Sequence, residues 1–237
     1  MTFRRYRWIL FDADGTLLDF RRAETSALKT APASLGIDVP AAFTSTYHTI
    51  NDRLWQAFEN GALEARDVRA RRFRLVLDEL KIDADPHVLS ETFLAHLVRE
   101  STFMSGAQSL LAALRGKVRT VLLTNGFADV QRARLQRLKL DKTFDHVLIS
   151  EEVGVAKPAG AIFDLAFKHM GTPSKDEVLV VGDSLSSDIR GGINYGIDTC
   201  WFNPQHKGNP MSLSPTYEIS DLEELLPILG ASGSSDG

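Results

Sequence analysis

The chain has 237 residues, 43% of them hydrophobic and 24% charged, with a formal net charge of −4. That length allows one large domain or a domain carrying an inserted subdomain, and a mildly acidic balance excludes the basic footprint of a nucleic-acid binder. The lone cysteine, Cys200, excludes an internal disulfide and suits a reducing cytoplasm. No apolar run approaches a membrane span, and the first one ends at Asp12, too soon for a signal peptide.

The first element is a strand at 8–11, Trp8-Ile9-Leu10-Phe11, apolar throughout and so expected to be buried on both faces. Asp12-Ala13-Asp14-Gly15-Thr16 follows at once. Gly15 permits a sharp turn, which lets both carboxylates reach one cleft at the strand's carboxyl end, where open α/β sheets bind ligands. An aspartate, with a reference pKa of about 3.9, is ionised at pH 7 and can act as a nucleophile without an activating base. The second carboxyl can handle protons. A calcium loop also contains D-x-D-G, but the third oxygen ligand and the late glutamate are missing and a strand precedes the motif.

From 20 to 105 there is no convincing strand, and four helices are expected near 21–35, 41–60, 64–80 and 86–100. The third carries Phe73, Val76, Leu77 and Leu80 on one face, and Arg66, Arg69, Arg71, Arg72 and Arg74 are expected on a solvated basic surface. Asn51 and Trp55, four residues apart on the second helix, share a face and could meet a ligand. The alternative is that Trp55 belongs to the helical block's own core.

Helices and short apolar strands then alternate. Helices are expected near 107–115, 129–138, 160–170, 188–195 and 222–229, and strands at 120–124, 146–150, 178–182, 199–202 and, at an edge, 217–219. Strands joined by helical crossovers make a parallel sheet with helices on both faces. The expected organisation is an α/β core of residues 1–19 and 106–230, a helical insertion at 20–105 after the first strand, and a flexible tail at 231–237. An insertion there can act as a lid.

Three later strand ends carry chemistry. Thr124-Asn125-Gly126 offers a hydroxyl, an amide and a permissive turn to a phosphate oxygen, although the triplet is also a common turn. Lys157-Pro158 follows the third strand, and the lysine supplies a compact positive charge suited to phosphate or carboxylate, with Pro158 expected in the first turn of the next helix. Gly182-Asp183-Ser184-Leu185-Ser186-Ser187-Asp188 ends the fourth strand. Asp183 stands where a hard cation would meet it. Asp188 is either an N-cap or a carboxylate that also holds Lys157 or a metal-bound water.

Asp12-x-Asp14-Gly15-Thr16, Thr124, Lys157 and Gly182-Asp183-x₄-Asp188, in this order, resemble the four motifs of the haloacid dehalogenase superfamily, and the insertion resembles its C1 cap. Phe11–Asp14, Leu123–Phe127, Ile149–Pro158 and Asp188–Asn194 look like the bacterial pyrimidine 5′-nucleotidase branch. The resemblance implies a Rossmann-like core with a four-helix cap and a Mg²⁺-dependent phosphatase working through an aspartyl phosphate. It further implies Asp12 as nucleophile and Asp14 as acid and base. Thr124, Asn125 and Lys157 would bind phosphate, and the Asp12 and Asp183 carboxylates with the Asp14 carbonyl would bind the metal. Asp188 would stand behind them. The substrate would be a small phosphate ester, a pyrimidine nucleoside monophosphate or a modified one, handled by a cytoplasmic monomer or dimer with no membrane or polymeric nucleic-acid partner. Asn51 and Trp55 would meet the nucleoside. The rival readings are a sugar-phosphate or phosphoglycolate phosphatase, a phosphomutase, or a non-catalytic binding protein that kept the fold.

Overall fold

The computed structural model describes residues 6–230, so the expected tail at 231–237 lies outside the described residues. Six strands, β1 (Trp8–Phe11), β2 (Arg119–Thr124), β3 (His146–Ile149), β4 (Val178–Gly182), β5 (Asp198–Phe202) and β6 (Tyr217–Ile219), form one sheet in the order β3-β2-β1-β4-β5-β6. Every neighbouring pair is parallel, with Leu10 opposite Val121 on one side and Val180 on the other. The strand order reverses between β1 and β4, a topological switch point of the kind at which open α/β sheets take their ligands.

The helices are α1 (Phe20–Ser34), α2 (Phe43–Glu59), α3 (Ala65–Leu80), α4 (Pro86–Arg99), α5 (Ala107–Leu114), α6 (Ala128–Arg137), α7 (Ser150–Val153), α8 (Gly160–Met170), α9 (Arg190–Tyr195) and α10 (Leu225–Ile228). None of these is long and apolar enough to cross a membrane. The sheet carries helices on both faces, as its patterning requires. Trp8, Leu10, Val121, Leu123, Val178 and Val180 pack against Ile162, Phe163, Ala166 and Phe167 of α8. The alternate residues Ile9, Phe11, Leu122 and Leu179 are just as deeply buried, because successive strand side chains point to opposite faces.

Two compact units emerge. Among the described residues, one holds 6–19, Phe103–Asn125 and 139–230, and the other holds Phe20–Thr102 and Gly126–Leu138. The second unit has its own core, in which Leu28, Phe43, Tyr47, Phe73, Val76, Leu89 and Phe93 meet. Residues 126–138, which the sequence reading kept with the strands, pack with the helices instead. Phe127 and Val130 join that helical core, Arg134 Nε donates to Ser101 Oγ at 2.9 Å, and Asp129 pairs with Arg69 at 2.9 Å.

Two local expectations are corrected. The helix expected over 188–195 is a single wide turn at Leu185–Ile189 followed by α9, and Ser184, not Asp188, caps it by accepting from Ser187 N. Pro158 lies two residues ahead of α8 rather than in its first turn, and the Lys157–Pro158 peptide is cis.

Candidate active site

Asp12 is the first residue beyond β1, and its backbone N–H still donates to Val181 O of β4 at 2.9 Å, so the sheet ladder fixes where its side chain starts. The chain then doubles back through a tight turn in which Gly15 N donates to Leu18 O and Leu18 N to Ala13 O. Gly15 has φ +84°, and a Cβ there would come within 2.5 Å of Asp183 Oδ2. Glycine is therefore required twice over, by backbone conformation and by the close approach of the second strand end.

Lys157 lies at the centre of the site. Its side chain is 1% exposed, and Nζ donates to Asp12 Oδ1 at 2.6 Å and to Asp188 Oδ1 at 2.7 Å. The backbone of Lys157 is clamped by Asn125, whose Oδ1 accepts from Lys157 N at 3.0 Å and whose Nδ2 donates to Lys157 O at 2.9 Å. Asn125 thus ties the loop after β2 to the loop after β3. Asp188 Oδ2 accepts from Ser184 N at 3.1 Å, so this carboxylate is held from two directions. It leaves no room for a side chain at Gly182, where a Cβ would strike it. Trp201 of β5, in register with Gly182, donates its indole N–H to Asp183 O at 3.0 Å and steadies the backbone of that aspartate.

Carboxylate oxygens of Asp12, Asp183 and Asp188 all lie within 4.8 Å of one another. Asp14 is half-buried beside them in sequence, but its carboxylate is not part of that group. Thr124 is fully buried at the end of β2. Asn51 and Trp55 are in the helical unit: Asn51 is 6% exposed, and Trp55 packs against that unit's core with its ring 5.4 Å from Phe58 and 5.5 Å from Phe127.

Burial pushes Asp12 well above the usual carboxylate range; Lys157 pulls against this, while Asp188 and Asp183 add to it. Loss of solvation, with Asp188 next, pushes Asp183 up to about 7, and Lys207 and Lys157 oppose the shift. Burial works to lower the Lys157 ammonium, but the Asp12 and Asp188 charges more than reverse it and leave the ammonium stabilised. Three carboxylates against one lysine leave a net negative, oxygen-rich site. That donor set fits a hard divalent cation, which takes oxygen ligands and keeps waters of its own.

Sequence reasoning missed Trp201 and Lys207 around Asp183, since each is distant in the chain and neither carries a motif. It also placed Arg72 on a solvated face, whereas Arg72 is 3% exposed. The only available hint was its place directly before Phe73 on the apolar stripe.

An open parallel sheet with carboxylates and a buried lysine gathered at its switch point is the architecture of a Rossmann-like enzyme working at its strand ends. The chain belongs to the haloacid dehalogenase-like hydrolase family, whose profile matches residues 6–196. It is 39% identical over 229 residues to pyrimidine 5′-nucleotidase YjjG of Escherichia coli, covering 95% of this chain and 98% of that one. It is 33% identical to pyrimidine 5′-nucleotidase PynA of Streptococcus pneumoniae, covering 94% and 95%. The crystal structure of the HAD-hydrolase YfnB from Bacillus subtilis bound to magnesium superposes with a TM-score of 0.87 at 37% identity, covering 95% of this chain and 99% of that one.

Proposed function

We propose that this hydrolase is a Mg²⁺-dependent phosphomonoesterase acting through an aspartyl phosphate, a 5′-nucleotidase on pyrimidine nucleoside monophosphates, including modified ones. The observation that carries the chemistry is Asp12, buried and within 2.6 Å of Lys157, with Asp183 and Asp188 close by. The substrate class is supported by two relatives that are pyrimidine 5′-nucleotidases.

The physical problem is bringing a carboxylate to a phosphate dianion. One like-charge pair at 4 Å costs about 4 kcal/mol at an effective dielectric of 20, and a dianion roughly twice that. Lys157 offsets part of it. The Asp12 and Asp183 carboxylates and the Asp14 main-chain carbonyl would hold Mg²⁺, which supplies further positive charge at the phosphate. Thr124, Asn125 and nearby backbone N–H groups bind the phosphate oxygens.

Asp12 attacks phosphorus in line; a new O–P bond forms to its carboxylate as the bond to the nucleoside oxygen breaks. Asp14 acts as the general acid and gives a proton to that oxygen. Asp14 then takes a proton from a water that attacks the aspartyl phosphate, releasing inorganic phosphate and restoring Asp12. The helical insertion acts as the cap that selects substrate and limits water entry. A cytoplasmic setting agrees with the single cysteine, which is buried.

The test is kcat/KM for dUMP, dTMP, dAMP, dGMP, phosphoglycolate and glucose 6-phosphate under one set of conditions. The expected result is a graded preference led by the two pyrimidine nucleotides. A sugar phosphate or phosphoglycolate exceeding both tenfold would sink the nucleotidase reading and leave only a general phosphatase.

A further inference from the structure

A second lysine is held at the carboxyl end of the sheet, and the chemistry above gives it no task. β5 runs beside β4 with Trp201 opposite Gly182, so Asp183 and Asn203 leave the sheet at the same end, from strands about 4.8 Å apart. Asn203 is 3% exposed and begins the connection to β6. Its Oδ1 accepts from Lys207 N at 2.8 Å, and its Nδ2 donates to Lys207 O at 3.0 Å and to Glu218 Oε1 at 2.7 Å. Its backbone N–H donates to Ile219 O at 2.7 Å, and its C=O accepts from His206 N at 3.1 Å. The turn over 203–207 is thereby pinned to β6 at one end and closed on Lys207 at the other. Asn209 repeats the clamp on Leu213, accepting from its N–H at 3.2 Å and donating to its C=O at 2.6 Å. The connection that carries Lys207 is thus a built structure.

Asn125 grips the backbone of Lys157 by the same pair of bonds. Two asparagines, each the first residue beyond a strand, therefore fix two lysines on the same sheet. Their ammonium groups differ. That of Lys157 is sealed and spent on Asp12 and Asp188. Lys207 is exposed, and among the described residues its ammonium makes no salt bridge. Its charge nevertheless reaches the carboxylates: of the two lysines that oppose the upward push on Asp183, Lys207 has the larger effect. An ammonium free in solvent and felt at the site is placed to meet an anion that arrives from solvent.

We propose that Lys207 is a docking residue for the phosphate group of the substrate, an accessible cation that draws the anion toward the Asp183 side of the site and weakens the hold on a divalent cation there. The proposal rests on the phosphatase reading and deepens it, because the buried Lys157 has no donor left over for a distant anion. One positive charge acts with opposite sign on the two ligands, and that opposition separates it from a lysine that merely shapes its loop. A deformed loop would weaken both ligands together.

The test uses calorimetric titration of the full chain, with Mg²⁺ alone on metal-free protein and with inorganic phosphate on Mg²⁺-saturated protein. Lys207→Met should bind Mg²⁺ about two- to fivefold more tightly and phosphate about two- to fivefold more weakly, the range expected of an exposed charge. Lys207→Arg keeps the charge and should match wild type for both. Both differences should shrink at high salt, which screens exposed charges. Lys168→Met removes the same charge from the exposed last turn of α8 and should leave both constants unchanged. Lys207 is exposed, so its replacement should leave Tm near that of wild type. A wild type that binds both ligands overturns the proposal alone if Lys207→Met moves neither constant, only one, or both in the same direction, or if Lys168→Met moves them equally. A wild type that binds neither Mg²⁺ nor phosphate overturns the phosphatase reading and this proposal together.

Discussion

At the scale of single residues, the site depends on a few side chains whose surroundings permit no substitute. Asp12→Asn keeps an oxygen that can accept from Lys157 Nζ but removes the proposed nucleophile. Phosphate release should therefore fall by a factor on the order of 10³ or more. Tm should hold or rise, because one of three carboxylates within 4.8 Å loses its charge. Activity near that of wild type would refute the assignment of Asp12. Cys200 is fully buried, and burial, with a smaller contribution from Glu224, pushes its thiol up to about 12. Native protein at pH 8 should then leave a thiol reagent unreacted, and unfolding in guanidinium should release one equivalent; fast labelling of the folded chain would contradict the burial. These two residues were legible in the sequence because each carries its own local signal, a strand end for Asp12 and an apolar run for Cys200. Arg72 was not. A run of arginines on a helix reads as a solvated face, and only tertiary packing by Phe73, Phe93, Tyr47 and Phe127 takes one of them inside.

At the scale of elements, hydrophobic periodicity locates the long helices to within two residues, as in α3, where Val68, Phe73, Val76 and Leu77 are buried. Periodicity says nothing where fewer than two turns exist. The short α7 is stopped at once by Gly154 in a left-handed conformation, and the wide turn at Leu185–Ile189 exists to carry Asp188 back toward Lys157. Such one-turn features concentrate at functional sites. Residues 126–138 show the other limit: α6 follows a core strand, yet Phe127 and Val130 pack with the helical core, a long-range preference no local pattern encodes. Trp55 belongs to that core's edge through Phe58 and Phe127. Trp55→Ala should cost roughly 2 kcal/mol, less than the 3–5 typical of a fully buried tryptophan. Thermal unfolding should show it as a lowered Tm, and an unchanged Tm would deny Trp55 a packing role.

At the scale of the whole molecule, the fold holds a concentration of like charge that folding alone does not favour. Asp12, Asp183 and Asp188 gather around Lys157 at the carboxyl end of the sheet, and burial raises Asp12 and Asp183 from their ordinary range. The scaffold that holds them is built of six paired strands and the apolar packing of α8 against β1, β2 and β4. Few candidate ligands on a stable frame fit the proposed Mg²⁺ as a catalytic rather than a structural ion, so removal of metal should abolish turnover while the secondary structure persists. A cation that binds only the folded state stabilises it by RT ln(1 + [L]/Kd), about 2.7 kcal/mol when its concentration reaches a hundredfold its Kd. Tm of the metal-free protein should rise steadily as Mg²⁺ is added, and the rise should largely disappear in Asp183→Asn, which loses one proposed anionic ligand. Circular dichroism and phosphate release, followed together through EDTA treatment and Mg²⁺ restoration, make the decisive measurement. Full turnover after confirmed removal of metal would defeat the metal assignment, and loss of the circular dichroism signal on chelation would show the ion to be part of the scaffold instead.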